Sequence, residues 1–335
     1  MDYKLSYFYG VYPGRALGNL ILLDPLLPPR KCPLNCIVCP LPKPKTSMYQ
    51  SGIEILVNDV YEDLLSSIPE STYIDGVLIW GYGEPLLTRN LDELLLHVKI
   101  LLRKQGFQSK TYIHSSLIPL VKTCSKQENT EQTSKCVEYS LLINQVEGFL
   151  VPFIWYESEK YLFGWPRETG FSNYINTLRE LFHDKTNKLL IELYLFRLNN
   201  EQYPSPSHLD EVVIYLKKLG VKHVILKPVD RPVNHSDIKP PPLKLVEKSS
   251  EYLTREGFKT IIDGFSKPSL YKWKNTARTL YNQILRIPLK YSEIRELYSE
   301  LGVIALDNLL SKGLAKRTTW SGEVYYTGIQ RETTL

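Results

Sequence analysis

The alternation of short apolar runs with helix-patterned segments constrains this chain more than any other feature. Strand-like runs fall at Leu20–Leu23, Gly76–Trp80, Lys110–His114, Gly148–Trp155, Leu189–Phe196 and Lys222–Lys227. Between and after them, Val57–Ile68, Leu91–Gln105, Gln132–Val146, Ser172–Asp184, Ser207–Leu219 and Leu243–Glu256 carry apolar residues at three-and-four spacing. Strands that alternate with helices imply parallel βαβ units, because a parallel connection needs a crossover. The strands are almost wholly apolar, as both faces of such a sheet are covered. The expected fold class is α/β, with six units in an open sheet or a partial barrel, and periodicity does not choose between them. In either case the ligand site belongs at the C-terminal ends of the strands.

After Pro268 the pattern changes. Asn275–Ile287, Tyr291–Ser299 and Val303–Lys312 read as three helices, and Ala315–Trp320 and Glu323–Thr327 as a hairpin joined by Ser321-Gly322. Three helices and a hairpin describe a winged helix-turn-helix. Residues 1–265 are thus expected as one domain and 266–335 as a second, smaller one. The net charge of +5 sits in the tail, where Lys267 to Arg331 holds eleven Lys and Arg against five Asp and Glu. A basic module on a neutral body hints at a polyanionic partner. Thr123 to Lys135 reads as a polar surface loop, and Asp230 to Pro242, with three consecutive prolines, as a stiff extended connection. No uncharged apolar run reaches the roughly 18 residues of a membrane span. The opening Met1-Asp2-Tyr3-Lys4 lacks a secretory pattern, so a cytoplasmic protein is expected.

Chemistry concentrates in Cys32-Pro33-Leu34-Asn35-Cys36-Ile37-Val38-Cys39. Three cysteines so close form a poor disulfide framework and a good metal or cluster loop. Structural zinc takes four protein ligands, and no fourth lies nearby. A four-iron cluster with three thiolates keeps one iron open to a chelating cofactor. The alternative is a zinc loop that borrows Cys124, Cys136 or a distant histidine. The remaining two cysteines read as unliganded thiols, with an auxiliary cluster as the other option. A second motif, Gly81-Tyr82-Gly83-Glu84-Pro85, follows the second strand-like run. Its glycines let a ligand approach the backbone, and Glu84 can accept from a cationic amine.

Cys-x3-Cys-x2-Cys after the first strand, with Gly-Glu-Pro after the second, resembles the radical S-adenosylmethionine (SAM) superfamily. The resemblance implies a partial (β/α)6 barrel and a [4Fe-4S] cluster on Cys32, Cys36 and Cys39. It implies that SAM chelates the fourth iron, with Gly81, Gly83, Glu84 and Pro85 as the motif that orients its amino group. In that family an external donor reduces the cluster, a carbon–sulfur bond of SAM breaks, and a 5′-deoxyadenosyl radical abstracts hydrogen from the substrate. Gly10 to Gly18 and Asp230-Arg231-Pro232 are similar to segments of a wyosine-synthase-related subgroup of archaea and bacteria that often ends in a winged helix. Gly14, Ala16 and Val233 depart from that subgroup's pattern.

Other positions carry two readings each. Arg15 and Arg231 either hold an acidic substrate group or brace loops. Ser115 (with Ser116) and Asn199 stand at strand ends, as cofactor contacts or as ordinary turn residues. His235, in the proline-rich connection, is the histidine placed nearest the expected mouth. Lys227 is the lysine placed to serve as a carbon-donor site. An aromatic group, Phe153, Trp155, Tyr156, Tyr161, Phe163 and Trp165, stacks on a base or packs in the core. The leading expectation is a radical SAM enzyme whose unidentified substrate includes RNA among its candidates. The alternative is a winged-helix regulator that binds nucleic acid, its cluster and SAM site acting as a sensor. A protein-docking role for the tail is the third reading.

Overall fold

The computed structural model describes residues 3–44, 52–71, 73–125, 130–153, 162–164, 170–266, 268 and 271–330. In chain order the first elements are β1 (Phe8–Gly14), β2 (Gly18–Leu23), α1 (Val57–Ser67), β3 (Glu70–Ser71), β4 (Gly76–Ile79), α2 (Leu91–Lys104) and β5 (Lys110–His114). Next come α3 (Ile118–Cys124), α4 (Thr130–Gln145), β6 (Gly148–Phe153), α5 (Phe171–Leu181), β7 (Leu189–Leu198), β8 (Glu201–Tyr203), α6 (Pro206–Leu219) and β9 (His223–Pro228). The chain continues with β10 (Ile238–Lys239), α7 (Leu243–Arg255), β11 (Lys259–Ile262), β12 (Tyr271–Lys272), α8 (Thr276–Ile284) and β13 (Leu289–Lys290). It ends with α9 (Tyr291–Ser311), β14 (Ala315–Trp320) and β15 (Glu323–Gly328).

The main sheet runs β1-β2-β4-β5-β6-β7-β9-β11. Every neighbouring pair is parallel except the β1–β2 hairpin. The six expected strands appear in this order, and periodicity had missed β1 and β11 at the two edges. Those edges meet: Gly14 bridges Phe265, Arg15 N–H donates to Gly264 O at 3.2 Å, and Ser266 N–H donates to Pro13 O at 3.2 Å. A sheet whose first strand touches the segment after its last must curl, and the result is a half-barrel.

The crossover helices cover one face. Ile21, Val77, Ile113, Phe149, Ile191 and Val224 are buried in one apolar cluster with Val60 and Leu64 of α1 and Leu94 and Val98 of α2. Their strand neighbours Leu20, Leu22, Leu78, Leu150, Glu192 and Lys227 point the other way and line a cavity on the concave face. The period-two alternation of a strand is what separates the two sets. Helix ends carry the expected signals: Ser205 accepts from His208 N–H at the start of α6, and Gly220 closes it with φ 70°.

The Thr123–Lys135 loop expected from polarity is a correction. α3 and α4 occupy most of it, and they bring Cys124 and Cys136 together as a disulfide with Cα atoms 5.2 Å apart. These two cysteines are therefore not unliganded thiols, and they cannot complete a metal site. The polar composition reflects exposure of α4, whose Val137 and Leu141 face solvent.

From Thr276 to Gly328 the order is helix, short strand, helix and hairpin, with a three-stranded sheet β13-β15-β14. α9 breaks at Ser299, whose φ of 58° and ψ of −160° divide it in two. This segment forms a second apolar cluster that takes in Tyr9 and Leu22 of the main sheet. The contact is anchored by Arg286, whose side chain is fully buried. Its Nε donates to Asp24 Oδ2 at 2.8 Å and its two terminal nitrogens donate to Asn282 O and Ser6 O, each at 3.0 Å. The guanidinium also lies over the rings of Tyr9 and Tyr82, 4.6 and 5.2 Å from their centroids. Among the described residues no helix is long and apolar enough to cross a membrane.

Removing one partner of such a pair leaves an uncompensated buried charge, which costs about 3–5 kcal/mol. Arg286→Ala is expected to lower unfolding stability by that amount in urea titration. The double variant Asp24→Asn/Arg286→Met should recover part of the loss. A change below about 0.5 kcal/mol would place Arg286 among surface-like residues.

Candidate functional site

The cysteine loop leaves the sheet just after β2, and backbone hydrogen bonds from distant segments hold it. Lys31 N–H donates to Tyr82 O at 2.9 Å, and Glu84 N–H donates back to Lys31 O at 2.8 Å. Asn35 and Ile37 N–H donate to Phe163 O and Leu162 O at 2.9 and 3.0 Å. From the third side, Asn234 donates its backbone N–H to Cys39 O at 2.8 Å and its side-chain amide to Cys36 O at 3.1 Å. Arg30 closes the base of the loop by donating to Leu34 O and Pro42 O.

The glycine motif is what permits the first of these contacts. Gly83 has φ 154°, and a Cβ there would overlap the Lys31 carbonyl; a Cβ on Gly81 would overlap the Asp24 carboxylate. Both positions therefore need glycine for close backbone approach. Cys32, Cys36 and Cys39 line a single pocket with Gly81, Gly83, Glu84 and Ser116. All three are free thiols. Burial pushes the Cys32 thiol up to about 11 and raises Cys36 well above the thiol range, against the pull of the Arg30 guanidinium. A bound metal centre reverses that preference, since thiolates ligate cations. Among the described residues no three His, Cys, Asp or Glu side chains converge as a single ion requires. Three cysteines around one pocket, pinned from three sides, match in number the donors of a four-iron cluster that would keep one corner without a protein ligand.

Several sequence expectations are redirected. Glu84 is 3% exposed, and both carboxylate oxygens are already engaged. Oε2 accepts from Ser116 N–H at 2.8 Å and Ser116 Oγ–H at 2.6 Å, and Oε1 accepts from Leu86 N–H at 3.2 Å. It braces the end of β5 against the glycine turn, and Pro85 starts the short 3-10 turn that follows. Ser115 does not line the pocket; its hydroxyl accepts from Leu117 N–H at 2.9 Å, while its neighbour Ser116 does line it. Asn199 is exposed in the β7–β8 hairpin with φ 50°, a left-handed turn position, and lines neither pocket described here. Arg15 is exposed in the β1–β2 turn.

Arg231 is spent on bracing. It pairs with Asp230 and with Glu293 at 3.2 Å, donates to Pro288 O at 2.9 Å and to Tyr12 Oη at 2.6 Å, and so ties the barrel rim to the C-terminal segment. His235 is half-buried, its Nδ1 has no partner, and it lines neither pocket. Of the aromatic group, Phe163 is buried in the core, and Trp155, Tyr156, Tyr161 and Trp165 lie outside the described residues.

The larger finding lies on the concave face. Val38, Pro40, Trp80, His114 and Tyr194 line both the cysteine pocket and the barrel cavity, so the two adjoin. Across that cavity runs a chain of ionisable groups from β5, β7, β9 and the end of β11, spanning β6 without a contribution from it. Glu192 Oε2 accepts from His114 Nε2 at 2.9 Å and from Tyr194 Oη at 3.3 Å; Lys227 pairs with Glu192 at 3.8 Å and with Asp263. Burial would push Glu192 up, but Lys227 and His114 pull it down to about 2. An ionised carboxylate only accepts, so His114 donates through Nε2. One sequence signal could have found this network: Glu192 is the charged residue inside the apolar run Leu-Leu-Ile-Glu-Leu-Tyr-Leu-Phe.

No protein-family model matches the chain. A curated relative, GTPase Obg of Brachyspira hyodysenteriae, is 23% identical over 161 residues, covering 44% of this chain and 24% of that protein. This chain carries no Gly-x4-Gly-Lys-Ser/Thr phosphate loop. Among solved structures, Streptococcus suis SuiB bound to S-adenosylmethionine matches at TM-score 0.45 and 15% identity, over 72% of this chain and 51% of that one. SuiB bound to its precursor peptide SuiA matches at TM-score 0.44 and 16% identity, over 72% and 48%. The chain thus spans about half the length of these solved chains and a quarter of the curated relative.

Glu192 generates a pH prediction. Its folded pKa lies below the ordinary 4.5, so its stabilisation is present above pH 4.5 and is lost as pH falls toward 2. The stability gap between wild type and Glu192→Gln is expected to be on the order of 3 kcal/mol at pH 6, from the size of the shift, and to shrink through that window. Urea midpoints at successive pH values test it; a gap that stays constant down to pH 2.5 contradicts it.

Proposed function

We propose that this chain is a radical SAM enzyme whose substrate occupies the barrel cavity. One observation carries the reading: the two motifs that resemble that superfamily, far apart in sequence, line one pocket that adjoins the concave cavity. Cys32, Cys36 and Cys39 would hold a [4Fe-4S] cluster, and Gly81 and Gly83, with Ser116 beside them, would border SAM. When bound, these groups supply reductive cleavage of SAM and a carbon radical able to take hydrogen from substrate.

The chain's own residues have the remaining tasks. The backbone ladder between Lys31 and Tyr82–Glu84 fixes the loop against the sheet. Asn234, with two hydrogen bonds to the loop, makes the Asp230–Pro242 connection part of the same scaffold. Glu84 holds the glycine turn rigid through Ser116 rather than presenting a free carboxylate. Val38, Pro40, Trp80 and Tyr194 form largely apolar walls between pocket and cavity, the kind of lining a reactive radical requires.

The fold of residues 276–328 supports a winged-helix reading of the tail and a division near residue 265. It does not favour the regulator alternative. The solvent face of the second half of α9 carries Leu301, Ile304, Asp307 and Asn308, with Leu301 and Ile304 62% and 58% exposed. A helix reading base edges or gripping phosphates presents several Arg, Lys, Asn and Gln, whereas this face sets Asn308 beside Leu301, Ile304 and Asp307. Bracing of the barrel, through Arg286 and Arg231, is the role the contacts support. The same face gives no support to RNA as the substrate.

Anaerobic reconstitution with iron and sulfide, reduction with dithionite and addition of SAM tests the proposal. The expected result is about four irons per chain and formation of 5′-deoxyadenosine, both lost in Cys36→Ala. Zinc retention without 5′-deoxyadenosine would overturn it.

A further inference from the structure

The barrel cavity has a volume of about 170 Å3, below the range of drug-sized pockets and suited only to a small molecule. Leu20, Leu22, Leu78, Leu150 and Ile225 make its walls apolar, and its charged groups gather on β7, β9 and the residues just after β9 and β11. Each cation there is outnumbered. Lys227 stands between Glu192 and Asp263, and Arg231 stands between Asp230 and Glu293. Three carboxylates of the lining, Glu192, Asp230 and Asp263, therefore face its two permanent cations, and Glu293 pairs with Arg231 from outside the lining. Glu192 is only 2% exposed and remains ionised across the ordinary pH range. An anion entering beside Lys227 would meet two carboxylates at once. A cation would complete the charge balance, and beside a carboxylate as buried as Glu192 that difference is larger than in open water.

We propose that the chamber binds a small organic cation, an alkylammonium whose nitrogen lies beside Glu192 and Asp263 and whose carbon body lies against Leu20, Leu78 and Ile225. Hydrogen-bond donors on the ammonium match carboxylate acceptors, and the apolar walls reward the alkyl part. His114, on the wall shared with the cysteine pocket, marks the end of the chamber nearest the proposed chemistry. The inference deepens the function proposed above and rests on its reading of the chamber as the substrate site.

Calorimetric titration of the full chain without cofactors separates the possibilities, with hexylammonium, hexanol and hexanoate as probes. Hexylammonium is expected to bind at least about tenfold more tightly than either other probe, a difference of roughly 1.4 kcal/mol. Glu192→Gln should weaken it by a similar factor. Lys227→Met should strengthen it, because the competing internal cation is gone. Preference for hexanoate, abolished in Lys227→Met, would make this an anion site and overturn the proposal; so would the absence of saturable binding by hexylammonium. If Lys227→Met does not fold, the wild-type preference between ammonium and carboxylate decides. Amine binding without 5′-deoxyadenosine formation would remove the proposed chemistry and keep the site; the reverse would remove the site alone.

Discussion

The ion pair between Asp24 and Arg286 is the interaction on which the rest of the structure depends. Asp24 follows β2 at the point where the chain departs for the cysteine loop. One of its oxygens accepts from the backbone N–H of Leu26 and Leu27, which sets the turn; the other accepts from Tyr82 N–H and from Arg286. A single carboxylate thus fixes the start of the loop, the glycine motif and the C-terminal segment. Taking both charges out of water is expensive, and only full hydrogen bonding makes the arrangement tolerable. Here the guanidinium has carbonyl, carboxylate and ring partners, and the carboxylate has four donors. The tail is consequently part of the barrel's wall and shares its core through Tyr9 and Leu22.

A second consequence concerns the two faces of the sheet. The helix-covered face excludes water by close packing of aliphatic side chains. On the concave face the same strands present Leu and Ile beside Glu192 and Lys227, a polar chain that no packing argument requires. Buried charges persist where they are paired, and here the pairing crosses the strands from His114 to Asp263. This arrangement holds a carboxylate ionised within a mostly apolar chamber. It also lies next to the cysteine pocket, so the groups suited to holding a ligand and the groups suited to holding a cluster share one wall.

Much of the fold could be read from the sequence because β7, β9 and the helices obey their periods cleanly. β1 escaped because Tyr-Gly-Val-Tyr-Pro-Gly mixes glycine and proline into a strand; β11 escaped because only four residues pair, half of them exposed. α3 and the first residues of α4 escaped because polarity was read as loop, whereas solvent-facing helices are polar too; the body of α4 was legible as Gln132–Val146. At the site, the cysteine loop and the glycine motif, both legible in the sequence, line one pocket. Spacing could not reveal that Glu84 would be consumed by Ser116, that Asn199 would sit in a tight hairpin, or that Arg231 would spend its donors on the C-terminal segment. Those outcomes depend on which strand ends meet, and local sequence does not encode that.

What we propose for the cysteine pocket is a cluster with one iron left without a protein ligand. Electron paramagnetic resonance of the reduced, reconstituted protein with and without SAM tests it most directly. A [4Fe-4S] signal whose line shape changes when SAM is added is the predicted result, because a ligand joins the unliganded iron. A cluster signal indifferent to SAM, or a protein that takes up only zinc, would contradict the account.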